Sequence, residues 1–282
     1  MSNHFTPLIS IIVAVFNGAK TLQQCINSIA FQTYPHKELI IIDNSSKDGT
    51  VDLLNANSGQ INYWISEPDS GIFNAWNKGL AKAKGEWICF LGADDYFWNT
   101  RVLEKISEQL EKLPPNIRVA YGQIMIVNEC GEGLYRMGES WQKIKKHFHH
   151  LMSIPHIGTM HRRSLFDEYG KYDESFRIAG DYELLLREFK ANDAFFIQDV
   201  IVAAMRDGGV SSVAANYLQV VRENRLALEM HGHYLPRWFW LKATAKSYIK
   251  LMLLVIVGKR LTEKALNSYR HIIGLPTFWH RV

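Results

Sequence analysis

Trp87-Ile88-Cys89-Phe90-Leu91-Gly92-Ala93-Asp94-Asp95 sets two adjacent carboxylates directly behind a short apolar run, with only Gly92 and Ala93 between. A run rich in aromatic and branched residues that ends in glycine and then acids reads as a buried strand. It delivers charge to its C-terminal edge, where open α/β sheets bind ligands. Like charges this close repel unless a cation or donor groups compensate, and a divalent metal carrying phosphate oxygens is one such partner. The other reading is a loop whose acids lead into the next helix, since Asn99 and Thr100 precede Val102 to Leu113.

Upstream of this stretch the chain alternates strand and helix signals. Ile9 to Phe16, Glu38 to Ile42 and Ile61 to Ile65 are apolar runs of strand length, and each is followed by a helical pattern: Thr21 to Phe31, Val51 to Asn57 and Ile72 to Lys82. Strands separated by helices mean βαβ units and a mostly parallel sheet. Downstream, Pro114-Pro115 marks a break. Val119 to Val127 reads as a strand, hairpinned through Cys130-Gly131-Glu132-Gly133 to Leu134-Tyr135-Arg136. Periodicity is weak around His147-Phe148-His149-His150 and His156, then a helix is expected from Asp181 to Lys190 and a strand from Phe195 to Ala204. This predicts one mixed α/β domain over residues 1–215, divided at 113/114, and a helical extension over 216–282.

Composition narrows the function classes. The 282 residues are 47% hydrophobic, which excludes a disordered chain. Cys25, Cys89 and Cys130 have neither metal-ligand spacing nor an even count, which fits a reducing compartment. Leu8 to Phe16 has no preceding Lys or Arg and is rich in Ile and Val, so it is expected as a strand rather than a signal peptide. The net charge is +4, yet from His231 onward nine Lys and Arg face one Glu, which makes the rest of the chain acidic. That asymmetry argues against a distributed nucleic-acid face and for an anionic surface met by the C-terminal part.

Three further stretches carry candidate chemistry. Asp43, at the end of the second strand, can accept hydrogen bonds from a nucleotide's ribose or base, whereas Asp48-Gly49 reads as a turn. Glu67-Pro68-Asp69-Ser70-Gly71 opens the helix that holds Asn77 and Lys78. Asp69 or Ser70 could cap that helix, or the helix start could bind an anion with Lys78 adding charge. No GxGxxG or P-loop motif is present. The histidines from His147 to His161 are too irregularly spaced for a zinc site.

Taken together, Asn17 after the first strand, Asp43 with Asp48-Gly49-Thr50, Glu67-Pro68-Asp69-Ser70-Gly71 with Asn77-Lys78-Gly79, then Gly85 and Leu91-Gly92-Ala93-Asp94-Asp95 resemble a family 2 glycosyltransferase with the GT-A fold. The flavour is that of bacterial enzymes building O-antigen, capsule or exopolysaccharide. The resemblance covers roughly residues 7 to 215. It implies a Rossmann-like, mostly parallel sheet flanked by helices, and a nucleotide-diphospho-sugar donor (UDP- or GDP-sugar) bound over the strand ends. Val15, Asn17, Asp43 and Asp69 would then lie near the nucleoside. Asp94 and Asp95 would stand as this chain's version of the family's DxD motif, holding Mg²⁺ or Mn²⁺. Gly92 replaces the first acid of many members and Asn44 stands where a second Asp often follows Asp43, which leaves the direct ligand open between Asp94 and Asp95.

The same resemblance places the base of an inverting transfer at Asp181 in Ala179-Gly180-Asp181-Tyr182, with Gly180 in place of the usual neighbouring acid. A helix cap is the competing reading of Asp181. His156 is expected on the acceptor side, and Arg206 in a loop, Arg206 to Ser211, that closes over diphosphate. The expected acceptor is a lipid-linked oligosaccharide. Two other readings stand beside this one. A sugar-phosphate nucleotidyltransferase should carry a Gly-rich, Arg-containing loop near its start, and none is present; a catalytically silent scaffold is raised by Gly92, Asn44 and Gly180.

Pro236 to Val257 combines Trp238-Phe239-Trp240 and an apolar run with Lys242, Lys246 and Lys250, four residues apart and therefore on one helical face. Such a helix can lie in a membrane interface, but the lysines interrupt it too often to span one. Packing against the domain or a second subunit is the alternative. The expected location is cytoplasmic, peripheral on the inner face of the cell membrane.

Overall fold

The computed structural model describes residues 6–208 and 216–272. Strands β1 (Ile9–Val15), β2 (Lys37–Asp43), β3 (Tyr63–Ser66) and β4 (Trp87–Gly92) pair in parallel in the order β3-β2-β1-β4. Helices α1 (Leu22–Ala30), α2 (Thr50–Ala56) and α3 (Ile72–Leu80) connect them. Neighbours on both sides and helices on both faces explain why β1 and β4 read as continuous apolar runs rather than alternating ones. The strand period of two still sorts their side chains. Ile9, Ile11, Val13 and Val15 pack on the face covered by Leu22, Cys25, Ile26 and Ile29 of α1. Ile12, with Ile88 and Phe90 of β4, packs on the face covered by Phe73, Trp76 and Leu80 of α3. Gly79 allows that second contact: a Cβ there would lie 2.4 Å from the Ile12 Cγ2.

β4 marks the change to mixed pairing. β8 (Met160–Arg162) joins β4 and β6 (Val119–Val127) antiparallel to both, β9 (Ala194–Arg206) runs parallel to β6, and β5 (Tyr96–Phe97) lies antiparallel on β9. The expected hairpin forms as β7 (Gly133–Met137) on β6, its turn held by Asn128, whose Oδ1 accepts from the Cys130 and Glu132 amides at 2.9 Å each. The expected strand at Phe195 is longer than read. Asp199 has φ 57° within it, and the register against β6 shifts between Tyr121 and Ile124.

The remaining helices are α4 (Val102–Leu110), α5 (Trp141–Phe148), α6 (Arg163–Tyr169), α7 (Gly180–Glu188), α8 (Tyr217–Met230) and α9 (Arg237–Ile272). α8 packs against α7 and α9, and Ala227, Leu228 and Trp240 enter the same apolar core as α3 and α7. Gly258, at φ 78° and ψ 169°, kinks α9. Among the described residues no helix is long and apolar enough to cross a membrane.

Candidate functional site

The strand order creates the site. The chain passes from β1 outward to β2 and β3, then returns on the other side of β1 as β4, so the crevice at the carboxyl ends of β1 and β4 is a topological switch point. In register, Val15 pairs with Asp43 and Ala14 with Gly92, which brings the loops after β1, β2 and β4 to one edge. Gly18 closes the gap between the first and last of these: a Cβ there would lie 3.4 Å from the Ala93 Cβ and 2.5 Å from Val15 Cγ2.

The β1 and β2 loops are cross-linked through backbone amides. Asn17 takes a left-handed φ of 51°, its amide donates to Ser46 Oγ at 2.7 Å, and its Oδ1 accepts from the Lys47 amide at 3.0 Å. Asp43 is fully buried. Its carboxylate accepts from the Ser46 amide (3.0 Å), the Ser46 hydroxyl (2.5 Å) and the Ser66 hydroxyl (2.6 Å), so the same acid ties the 43–46 turn to the end of β3. A buried carboxylate is tolerable only with such donors. Asp48 closes the next turn, accepting from the Thr50 amide and hydroxyl and from the Ala19 amide.

Asn44, in the position where an acid was expected, accepts from the Asp69 amide through Oδ1 at 2.9 Å. An amide oxygen serves there without adding a third negative charge beside Asp43 and Asp69. Asp69 accepts from the Gly71 amide at 2.9 Å, and neither it nor Ser70 caps α3: the N-cap is Gly71, and no side chain bonds the first-turn amides. Burial and the nearby Asp43 raise the Asp69 carboxyl above the usual range, with the Gly71 amide and Lys78 opposing. Lys78 bonds Glu67 Oε1 at 2.7 Å and the Pro68 carbonyl at 2.8 Å, so its ammonium holds the 67–68 loop. Asn77, nearly buried, bridges α3 to the segment before α7 through the Tyr172 carbonyl and amide and Glu174 Oε1.

The acidic pair behaves asymmetrically. Asp94 is exposed, whereas Asp95 is 3% exposed and accepts from the Gly92 amide at 3.2 Å and from the main chain of Arg206. Burial, followed by the charge of Asp94, pushes the Asp95 carboxyl up to about 8. Gly92 explains the departure from the DxD pattern. A Cβ there would lie 2.6 Å from Asp95 Oδ2 and 2.8 Å from Asp94 Oδ1, so the two carboxylates converge over this glycine and leave no room for a side chain. Two hard oxygen donors converging on one point fit Mg²⁺ or Mn²⁺. Among the described residues no third acidic, histidine or cysteine ligand joins them. A cation here therefore needs further oxygens from a ligand, as diphosphate supplies.

Arg206 donates through Nη1 to the Glu129 carbonyl at 2.8 Å and through Nη2 to Gln24 Oε1 at 2.6 Å, beside Asp95. Gly209 to Ser211 of the expected closing loop lie outside the described residues.

Asp181 stands on α7, whose first turn lies against the first turn of α3. It is the second residue of the helix, after an Ala179 N-cap, and accepts from the Tyr182 amide at 2.8 Å rather than capping. Burial raises it to about 6, with backbone amides opposing and Glu223 adding to the rise. Gly180 has a steric reason as well: a Cβ there would lie 2.8 Å from Phe73 Cε2, so the first turn of α7 seats on the first turn of α3. His156 is 9% exposed, stacked on Phe90 with centroids 5.8 Å apart and 3.4 Å from the Tyr172 hydroxyl. Burial and the neighbouring His161 hold its ring neutral, and it lies in the aromatic wall behind Asp181.

Two residues escaped the sequence reading. Phe73 carried only a core signal. Glu223 of α8, 5% exposed, accepts from the Arg177, Ile178 and Ala179 amides at 3.0, 2.8 and 2.8 Å. The signal available was indirect: Arg177-Ile178-Ala179-Gly180 contains no Ser, Thr, Asp or Asn to cap α7.

Comparison with known proteins agrees with this fold. The family model described as Glycosyl transferase family 2 matches residues 10–170. A PGL/p-HBAD biosynthesis glycosyltransferase of Mycobacterium tuberculosis is 31% identical over 212 residues, 73% of this chain and 80% of the relative. An uncharacterized glycosyltransferase of Rickettsia typhi is 29% identical over 224 residues, 77% of this chain and 70% of the relative. Among solved structures, Staphylococcus aureus TarS 1–349 in complex with UDP-GlcNAc superposes with a TM-score of 0.62 at 17% identity, covering 93% of this chain and 77% of that one. The mannosyltransferase PcManGT of Pyrobaculum calidifontis, in complex with GDP-Man and Mn²⁺, gives 0.56 at 14% identity, covering 95% and 81%.

Proposed function

The chain is a member of glycosyl transferase family 2 with the GT-A fold, and on that premise we propose an inverting, metal-dependent transfer of a sugar from a nucleotide-diphospho-sugar to a lipid-linked oligosaccharide in bacterial surface glycan synthesis. The observation that carries the reading is Asp181: a carboxylate in the first turn of α7, behind a turn whose amides Glu223 closes, with its proton affinity raised by burial to about 6. A base must be ionised at working pH yet hold a proton well enough to take one, and a value near neutrality meets both needs.

In this reading the donor lies across the carboxyl ends of β1, β2 and β4. Asn17, Asp43 and Asp69 shape the nucleoside end through the loops they fix. UDP, UDP-GlcNAc and GDP-Man are bound by the structural relatives, which supports a nucleotide-sugar donor without choosing its base. Asp94 and Asp95, completed by diphosphate oxygens, would hold Mg²⁺ or Mn²⁺, which supplies positive charge to the leaving diphosphate. Asp181 takes the proton of the acceptor hydroxyl as that oxygen attacks the anomeric carbon from the opposite face. The bond to the diphosphate breaks, the leaving oxygen keeps the electron pair, and the configuration inverts.

For the acceptor the support comes from α9. Trp238, Leu241, Ile249, Met252, Val255 and Ile256 are exposed together with Lys242 and Lys246, an apolar and cationic surface suited to an anionic bilayer holding a lipid-linked substrate. Two experiments test the proposal. UDP- and GDP-sugars are screened with Mn²⁺ for thermal stabilisation and hydrolysis, and at least one donor is expected to do both; a panel that neither stabilises nor turns over contradicts the enzyme reading. Val255→Glu combined with Ile249→Glu should release the protein from phosphatidylglycerol vesicles in flotation, and undiminished flotation contradicts the interfacial helix.

A further inference from the structure

We propose that Glu223 is a positioning residue for the transfer step: from α8 its carboxylate closes the amides ahead of α7 and so fixes the turn that presents Asp181. The role assigned to Asp181 rests on the function proposed above; the capping geometry does not.

α7 begins without a cap of its own. Ala179 occupies the N-cap position and has no side chain that bonds the first-turn amides; of the local side chains Asp181 accepts from the Tyr182 amide. Buried amides require acceptors, and a helix start favours a negative one. Glu223 meets both demands from a position 44 to 46 residues away, with Oε2 shared by Ile178 and Ala179 and Oε1 by Arg177. Gln219, one turn earlier on α8, donates to Oε1 at 2.7 Å and orients the carboxylate. Three consecutive amides converging on one carboxylate restrain the backbone that leads straight into Gly180 and Asp181. The opposite side of that turn is restrained by Phe73 against Gly180. Asp181 is therefore clamped between α3 and α8, and the α8 half lies beyond residues 10–170 that the family model matches.

Charge adds to position. The groups facing Asp181 are the Tyr172 phenol from the preceding loop and Glu223 from α8. On α7 itself Glu183 is committed to Arg187, and to His231 from the segment after α8 at 2.8 Å. Glu223 is thus the like charge that reaches Asp181, and it strengthens the base it holds in place.

Reaction geometry is sensitive on this scale, since a misplacement of about 1 Å can cost about 100-fold in rate. The test uses the full chain with Glu223→Asp, Glu223→Gln and Glu223→Ala, read by amide hydrogen exchange over residues 176–183 and by hydrolysis of the donor that the wild type turns over. Glu223→Ala should speed exchange across this segment at least about tenfold and lower kcat about 100-fold with donor KM within about twofold. Glu223→Gln should lower kcat less and move the acid limb of the kcat profile to lower pH. Glu223→Asp, which keeps the charge on a shorter arm, should lower kcat with the limb in place, and it serves as the readout if the other two do not fold. Unchanged exchange and unchanged kcat in the folded variants overturn the proposal. An Asp181→Asn variant separates the two ideas: if it retains turnover, the base reading falls, while exchange over 176–183 still decides whether Glu223 holds the turn.

Discussion

Two carboxylate centres of this molecule are built in opposite ways. Asp94 and Asp95 are adjacent in sequence, follow a strand buried from Trp87 to Leu91, and need only Gly92 beneath them to converge. Asp181 and Glu223 lie on different helices, and the second exists as a partner only because α8 packs on α7. The first centre is local and depends on one strand being in register. The second is assembled from sequence-distant parts and depends on the C-terminal helices being seated. Charge separates them too: amides oppose burial at both, but the adjacent Asp94 helps raise Asp95 to about 8, whereas Asp181, with Glu223 as a lesser like charge, rises to about 6. A bound cation would reverse the first effect by supplying positive charge, and the second leaves a carboxylate that is ionised at neutral pH.

If the local centre handles the diphosphate, removing its buried member gives the largest loss. Asp95→Asn keeps the shape and removes a hard anionic ligand, and turnover with Mn²⁺ should fall about 100- to 1,000-fold, as for loss of a group stabilising developing charge. Steady-state kinetics across a Mn²⁺ titration check this, and activity unchanged at every metal concentration would break the contrast drawn above. Gly92→Ala is the sharper variant. Its methyl would meet both carboxylates below 3 Å, so half-saturating Mn²⁺ should rise about tenfold while the fold persists. Ser46→Ala gives the smallest effect. Asp43 loses its hydroxyl donor but retains the Ser46 amide and Ser66, and urea denaturation should show a loss of about 1–3 kcal/mol.

The same contrast explains what the sequence could disclose. β1, β2 and β4 were legible because strands covered on both faces need unbroken apolar runs, and their ends then locate Asn17, Asp43 and Asp94-Asp95 without further information. β5 and β8 were not, since two and three residues cannot show a period. α5 was missed because only Trp141 and Phe148 are buried along it, too few for an amphipathic stripe. Lys78 illustrates a different limit. Its charge pointed to phosphate, yet the fold places Glu67 2.7 Å away, a contact that spacing along the chain did not reveal. Glu223 is the clearest case: only the missing cap before α7 hinted at it, and the identity of the donor required the packed structure.

The most direct test of the central claim is the pH profile of kcat for donor turnover by the wild type and by Asp181→Asn. A base must be ionised, so the rate should rise with pH through an apparent pKa near 6 and fall away below it. Asp181→Asn should lose about 100-fold or more in kcat and show no such limb, with UDP or GDP still bound. A variant that keeps wild-type turnover and the same acid limb would contradict Asp181 as the base, and with it the mechanism derived from this crevice.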